Sequence, residues 1–318
     1  MAPSPLLDRR LVFVTGKGGV GKSTVTAALA LLAARAGKRV LVCEANAPQE
    51  RIAPLLGAPP AGPAIREARP GLFTLNVGPR EAMREYGLLV LRFKAVYDAV
   101  FENRLMRYFL RVIPALAELV TLGKILHEVR SVGPEGRPRW DLVLVDAPAT
   151  GHAVQLLRVP SALLDTVPAG PLRHDAEWMQ RLLVDPVTTA LALVTLPEEL
   201  PVNEVIELDA QVRGVLGMAR AALIVNAVPP VRFAPDEAAR LPALAGAPPP
   251  LGPAARAAAL QAARAAAAHH HLARARAAID LPALELPLLP AAAWGPAEVE
   301  AVAAALQAAG AARAGGAR

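Results

Sequence analysis

A glycine-rich loop between a strand and a helix is the feature of this sequence that most restricts its fold. Residues 11–15, Leu-Val-Phe-Val-Thr, form a short apolar run typical of a buried parallel strand. The loop that follows is Gly16-Lys17-Gly18-Gly19-Val20-Gly21-Lys22-Ser23. Residues 24–36 are rich in Ala and Leu and predict a helix, and residues 39–43 predict the next strand. The region therefore predicts one βαβ unit.

The loop has the spacing of a phosphate-binding motif. Gly16 and Gly21-Lys22-Ser23 satisfy GxxxxGK followed by Ser or Thr. Glycines let backbone N–H groups surround phosphate oxygens, and the next helix contributes the positive end of its dipole. Lys22 is predicted to reach the β- and γ-phosphates, and Ser23 to place its hydroxyl on Mg²⁺. The predicted cofactors are therefore ATP or ADP with Mg²⁺. The predicted nucleotide-binding residues here are Gly16, Lys17, Gly18, Gly19, Val20, Gly21, Lys22, Ser23 and Thr24.

A second apolar run, residues 140–146, predicts a buried strand that ends in an acid, Asp146. An Asp at the end of a strand beside the phosphate loop can hold the water shell of magnesium. Ser23 and Asp146 are therefore the predicted metal ligands, and Asp146 is also a predicted catalytic residue. The chain continues as Ala147-Pro148-Ala149-Thr150-Gly151-His152, and then as Gln155-Leu156-Leu157-Arg158-Val159-Pro160.

These motifs make the sequence resemble the ArsA/Get3 branch of the deviant Walker A P-loop ATPases, a group that also includes ParA, MinD and the nitrogenase iron protein. Lys17, directly after the first glycine, carries the resemblance to the group. Residues 146–152 and the Leu-Leu-Arg at 156–158 look like the switch II of the ArsA/Get3 branch. The resemblance is good over residues 10–230. It implies an α/β P-loop NTPase fold, with a mostly parallel sheet, helices on both faces and a helical insertion.

The same resemblance implies roles outside the loop. In this group the early lysine reaches the nucleotide of a partner chain, so Lys17 is predicted to act in trans as a catalytic cation. Asn226, after a predicted strand at 221–225, is implied to recognise adenine, although an Asn before Pro also suits a plain turn. Pro287 is implied to close over the base. The implied partners are a second copy or a paralogous ATPase, an unidentified client protein and a peripheral membrane partner.

The sequence departs from the family pattern at switch I. There the family has an Asp that orients the attacking water, whereas this chain has Glu44-Ala45-Asn46-Ala47-Pro48-Gln49, with Asn46 in place of the Asp. An asparagine can hydrogen-bond a water but cannot take its proton, so ATP hydrolysis is expected to be slow. Glu44, on the same strand face, is an alternative catalytic acid. A nucleotide-gated interaction module with little catalysis, or a pseudo-subunit paired with an active paralogue, is the alternative function.

The chain is expected to form one domain over residues 9–318, with flexible tails at 1–8 and 310–318. Residues 81–130 are expected to be the helical insertion, in about three helical stretches that divide near Pro114 and Gly123. An intramolecular core or a dimer face is the favoured role of its apolar positions, and a client groove is the alternative. The Pro- and Ala-rich residues 231–257 predict a loop or linker. Further helices are predicted at 254–278 and 296–308.

Composition excludes several classes of protein. The net charge of the 318 residues is +6 (34 Lys+Arg against 28 Asp+Glu), but only five of the basic residues are lysine. No nucleic-acid partner is therefore expected, and a ParA/MinD-like positioning ATPase is the less favoured alternative. The single Cys43 excludes an intramolecular disulfide or a cysteine-based zinc or arsenite site within one chain. No apolar run is long enough to span a bilayer, and a cytoplasmic location is expected.

Overall fold

The computed structural model describes residues 6–91, 116–133 and 136–316. Eight strands of these residues form one sheet. The strands are β1 (Leu11–Thr15), β2 (Val40–Ala45), β3 (Arg66–Arg69), β4 (Leu72–Val77), β5 (Leu142–Asp146), β6 (Thr189–Thr195), β7 (Arg220–Val228) and β8 (Ala283–Pro287). The helices are α1 (Lys22–Arg35), α2 (Ile52–Leu55), α3 (Pro79–Leu91), α4 (Leu116–Arg130), α5 (Thr150–Thr166), α6 (Pro171–Val184), α7 (Glu199–Gln211), α8 (Pro235–Leu244), α9 (Leu251–Ala278) and α10 (Pro296–Gly316). A π-helical segment, Val212–Leu216, continues α7.

The strand order is β3-β4-β2-β5-β1-β6-β7-β8. All neighbouring pairs are parallel except β3 and β4, which pair antiparallel at one edge. In register, Asp146 lies opposite both Val14 and Glu44, so the carboxyl ends of β1, β2 and β5 meet at one place. The predicted α/β P-loop fold is confirmed, and ligands bind at this edge in open parallel sheets.

Helices cover both faces of the sheet. Within β1, Leu11 and Phe13 pack into one buried cluster, whereas Val12 and Val14 pack into the other. This follows from the alternation of side chains along a strand, and it explains why the run is continuously apolar. The first cluster is completed by α4, α5, α6, α7 and α9, and the second by α1, α2 and α10.

Some boundaries differ from the sequence prediction. The linker predicted at 231–257 is wrong, because α8 and the first residues of α9 lie within it. Pro235 occupies the first turn of α8, where a missing N–H costs no hydrogen bond. Gly123 does not divide a helix. It lies inside α4, where a Cβ would come within 3.1 Å of Met179 Cε, so its small size serves packing between helices.

Residues near both ends of the described chain contribute to the fold. Leu6 is buried in the second cluster, and α10 continues eight residues beyond the predicted end of its helix at 308. Much of the predicted insertion lies outside the described residues: Phe93, Val96, Tyr97, Val100, Phe101, Leu105, Met106, Tyr108, Phe109, Leu110 and Pro114. Among the described helices, none is both long enough and apolar enough to cross a membrane.

Candidate functional site

The phosphate loop (residues 16–23) connects β1 to α1 in a conformation that only glycine fits at two positions. Gly16 has φ +155°, and a Cβ there would lie 2.0 Å from the carbonyl oxygen of Val194 in β6. Gly21 has φ +89°, and a Cβ there would lie 2.3 Å from Asn226 Nδ2. Both positions combine a positive φ with a neighbour too close for a side chain. The glycines of the motif are therefore required by the packing of the loop against β6 and β7.

Lys22 folds back over this loop. Its Nζ donates a hydrogen bond to the carbonyl oxygen of Lys17 at 3.0 Å. Burial lowers the pKa of Lys22, and the nearby carboxylate of Asp146 opposes that shift. A partly desolvated ammonium held against the loop is suited to an anionic partner, because burial strengthens its interaction with phosphate oxygens.

Ser23 and Asp146 form the predicted metal pair. The hydroxyl of Ser23 donates to Asp146 Oδ2 at 2.6 Å, and Asp146 Oδ1 is buried without a hydrogen-bond partner among the described residues. Burial raises the pKa of Asp146, whereas the Ser23 hydrogen bond and the charge of Lys22 lower it. A hydroxyl and an unpaired carboxylate oxygen are hard oxygen ligands, which Mg²⁺ prefers. The donor set fits magnesium.

A cavity of about 420 Å³ opens beside these residues, and we call it the phosphate cavity. Its lining residues come from the phosphate loop and α1, from the segment after β2, and from the segment before α10. They are Gly19, Gly21, Lys22, Ser23, Thr24, Glu50, Arg51, Pro54, Leu55 and Trp294. Gly18 is exposed and has open space around it. The predicted residues Gly19, Gly21, Lys22, Ser23 and Thr24 are thus brought together around one space.

The two residues implied in adenine recognition lie on neighbouring strands. Asn226 Nδ2 donates to the carbonyl oxygen of Val20 at 3.0 Å, which ties β7 to the phosphate loop. Pro287 is exposed at the end of β8 and pairs with Val228 in register. The amide of Asn226 carries a second N–H and an oxygen, so one hydrogen bond to the loop leaves groups for a base.

The switch I segment (residues 44–49) follows β2. Asn46 has φ +55°, a conformation that Asn tolerates better than most residues, and its N–H donates to Val77 O at 3.0 Å. The next residue, Ala47, exchanges two hydrogen bonds with the side chain of Asn76, at 2.9 and 3.3 Å. Asn46 also lines a cavity of about 230 Å³ together with Pro148 and His152 of the switch II region. The structure thus brings the two switches together at Asn46.

Glu44 is buried at the end of β2. Its Oε1 accepts a hydrogen bond from the backbone N–H of Arg51 at 2.7 Å. Burial raises the pKa of Glu44 to about 7, and the hydrogen bonds from the N–H groups of Arg51 and Ile52 oppose the shift. The carboxylate is therefore engaged with the start of α2.

Lys17 is not among the residues that line the phosphate cavity. Its Nζ forms an ion pair with Glu204 Oε1 of α7 at 2.8 Å, and both side chains are about one third exposed, at 31% and 38%. Exposed pairs of this kind contribute about 0–1 kcal/mol. Among the described residues, Lys17 thus pairs with an acid of its own chain and does not line the phosphate cavity.

Comparison with known proteins identifies the family of this chain. The sequence model described as "Anion-transporting ATPase" (ArsA) matches residues 9–168, half of the chain. The chain belongs to the ArsA ATPase family. The ATPase BagA of Mycobacterium tuberculosis is 32% identical over 243 residues, which cover 75% of this chain and 71% of BagA. The predicted family is therefore confirmed.

Two other relatives represent the two halves of the predicted branch. An arsenical pump-driving ATPase of Escherichia coli is 28% identical over 243 residues, 69% of this chain and 39% of that protein. An ASNA1 homologue of Paramecium tetraurelia is 24% identical over 153 residues, 48% of this chain and 44% of that protein. This ArsA-family chain thus aligns with each of them over part of their length.

Sequence reasoning missed three side chains of this ArsA-family site. Arg51 and Trp294 line the phosphate cavity, and Glu204 holds Lys17. Arg51 stands two residues after the switch I segment, and a basic residue next to that segment was the available signal. Trp294 and Glu204 come from segments distant in sequence, so only the fold brings them to the loop.

Proposed function

We propose that this ArsA-family chain is an ATP- and magnesium-dependent nucleotide switch that works as a dimer. The isolated chain would hydrolyse ATP slowly. The observation that carries the proposal is Asn46 of switch I, which lines a cavity with Pro148 and His152 of switch II in a chain whose phosphate loop also places Ser23 on Asp146. The phosphate loop would therefore bind a nucleotide, whereas in switch I the amide of Asn46 would stand where the resemblance implies an acid.

Binding is supported by the geometry of the loop. Lys22 and the N–H groups of the glycine-rich turn would bind the phosphates, and Ser23 with Asp146 would hold the metal and its water. Magnesium, when bound, supplies positive charge that neutralises the β- and γ-phosphates. Asn226 is proposed to contact adenine with the groups left free by its bond to Val20, with Pro287 beside it.

Slow hydrolysis is proposed from the chemistry of Asn46. Its amide would orient a water molecule, but it would not accept the proton that the water releases. Phosphoryl transfer depends mostly on positioning and on charge neutralisation, so loss of the carboxylate slows the reaction without abolishing binding. Glu44 is proposed to support switch I, because its Oε1 already accepts the N–H of Arg51.

The dimer is proposed from Lys17. Within one chain its ammonium lies against Glu204 of α7, and that exposed ion pair costs little to open. On association Lys17 would leave Glu204 and reach the nucleotide of the partner, where its charge would stabilise the transferring phosphoryl group. Client docking would then follow the nucleotide state of the dimer.

A second candidate function is also favoured by Asn46. A chain that binds ATP but lacks the switch I acid suits a pseudo-subunit that pairs with an active paralogue. In that case the two chains together would hydrolyse ATP faster than either alone. Sedimentation and turnover measured for this chain alone and in mixture with the paralogue separate the two candidates.

The experiment combines two substitutions. Lys22→Ala is expected to lose ATP binding in a fluorescence titration, and micromolar binding by that variant would refute the assignment of the loop. Asn46→Asp is expected to raise steady-state ATP turnover by at least about tenfold, because it restores the acid. Gln307→Glu, the same amide-to-acid change on the exposed face of α10, is the control and should leave turnover unchanged.

A further inference from the structure

The phosphate cavity contains a second basic side chain beside Lys22. Arg51 follows the switch I segment and lines the cavity together with Lys22, Ser23 and Thr24. Neither the phosphate-loop motif nor its spacing includes this residue. It lies directly before α2.

The guanidinium of Arg51 is free to bind a ligand. Arg51 is exposed, and its side chain makes no hydrogen bond or ion pair with any residue that the structure describes. The neighbouring carboxylate is not its partner, because Glu50 accepts hydrogen bonds from the N–H groups of Ala61 at 2.6 Å and Gly62 at 2.7 Å. An unpaired guanidinium in a cavity lined by a phosphate loop is positioned for an anion.

The backbone that carries Arg51 is fixed. Its N–H donates to the buried carboxylate of Glu44 at 2.7 Å, and the N–H of Ile52 also bonds to that carboxylate. Arg51 lines the phosphate cavity together with Lys22 and Ser23, and the Ser23 hydroxyl donates to Asp146. Arg51 is therefore held near the place where the loop lysine and the metal-binding acid meet.

We propose that Arg51 binds the terminal phosphate of ATP from within the same chain and stabilises the charge on that group during its transfer. This proposal rests on the proposed function, since it assigns one more residue to the same site. The planar guanidinium can donate two parallel N–H bonds to phosphate oxygens. In phosphoryl transfer, negative charge spreads over the three outer oxygens of the γ-phosphoryl group, which an arginine can neutralise. Arg51 would thus supply positive charge to the γ-phosphoryl group in a chain whose switch I carries the amide of Asn46.

The test compares ATP with ADP, because only ATP carries the γ-phosphate. Arg51→Gln is expected to weaken ATP binding by about tenfold or more while ADP binding changes less than about twofold. Turnover at saturating ATP is expected to fall as well, and Arg51→Lys should recover part of the ATP affinity. The matched control is Arg66→Gln on the exposed edge strand β3, which should leave both affinities unchanged. Dissociation constants from fluorescence titration and turnover rates are the measurements.

The outcomes separate this inference from the proposed function. An unchanged preference for ATP over ADP in Arg51→Gln overturns the role of Arg51, provided that wild type binds ATP and Lys22→Ala does not. An equal loss of ATP and ADP affinity also overturns it, since that result indicates a structural role at the start of α2. If wild type itself fails to bind ATP, the proposed function fails first.

Discussion

Gly21→Ala is the most direct test of how the fold shapes the phosphate loop. Gly21 has φ +89° and ψ +24°, a left-handed conformation that costs a residue with a Cβ about 1–2 kcal/mol. The new Cβ would lie 2.3 Å from Asn226 Nδ2 and would displace this amide group from the carbonyl oxygen of Val20. The displacement breaks their hydrogen bond, which is worth about 1 kcal/mol. The expected total is about 2–3 kcal/mol.

That free energy can be lost in two ways. If the loop keeps its native conformation, the free energy of unfolding falls by the whole amount. If the loop relaxes instead, the fold keeps its stability and ATP affinity falls by about 30- to 150-fold, since about 1.4 kcal/mol corresponds to a factor of ten. Urea denaturation measures the loss in the free energy of unfolding, and a fluorescent-nucleotide titration on the same preparation measures the loss in the free energy of ATP binding. The two losses should add up to about 2–3 kcal/mol.

The matched control is Gly18→Ala in the same loop. A Cβ at Gly18 meets no atom within 4 Å, so the free energy of unfolding should change by less than about 0.5 kcal/mol. If Gly21→Ala keeps both the stability and the ATP affinity of wild type, the packing of β7 against the loop does not set its conformation.

Two further predictions concern buried charges. Burial raises the pKa of Glu44 from its usual 4.5 to about 7, so the folded protein holds that proton more tightly and its free energy of unfolding falls as pH rises between those values. Glu44→Gln should reduce this decrease when urea titrations at about pH 5 and about pH 8 are compared, and an unchanged pH dependence would contradict the shift. Asp209 is fully buried and pairs with Arg220, so Asp209→Ala should destabilise by about 3–5 kcal/mol in urea denaturation. Asp236→Ala, in an exposed pair, should change stability by less than about 1 kcal/mol, and equal effects of the two substitutions would refute the argument from burial.

The buried elements of the fold could be predicted from the sequence better than the exposed ones. The bounds of β1 were predicted correctly, because it is an apolar run with little polar interruption. The strand β3 (Arg66–Arg69) has three charged residues among its four, so no apolar pattern indicated it, and its pairing with β4 depends on the edge of the sheet. The helix α8 was missed because the Pro- and Ala-rich composition of residues 231–257 predicts a loop or linker, whereas Pro235 is compatible with the first turn of a helix.

Site residues within a local motif could be predicted from the sequence, whereas contacts between distant segments could not. The sequence predicts that the loop and Asp146 belong to one site, because a local motif and one strand end define them, and the structure places Ser23 in contact with Asp146. The Lys17–Glu204 ion pair was not, since nothing in a sequence says which acid a surface lysine meets. Nor does a sequence say that Arg51 is unpaired, because that depends on Glu50 being committed to two N–H groups elsewhere.

The position of Cys43 makes the chain suitable for labelling experiments. It is the only cysteine of the sequence, it lies fully buried in β2, and burial raises the pKa of its thiol. Thiol reagents attack the thiolate, so at neutral pH they modify Cys43 only when the sheet opens. The rate at which a thiol reagent modifies Cys43 in the unaltered chain therefore reports how often the central strands open. In the native state a cysteine introduced on the surface would react first, so each subunit of an assembly can carry one probe at a chosen site.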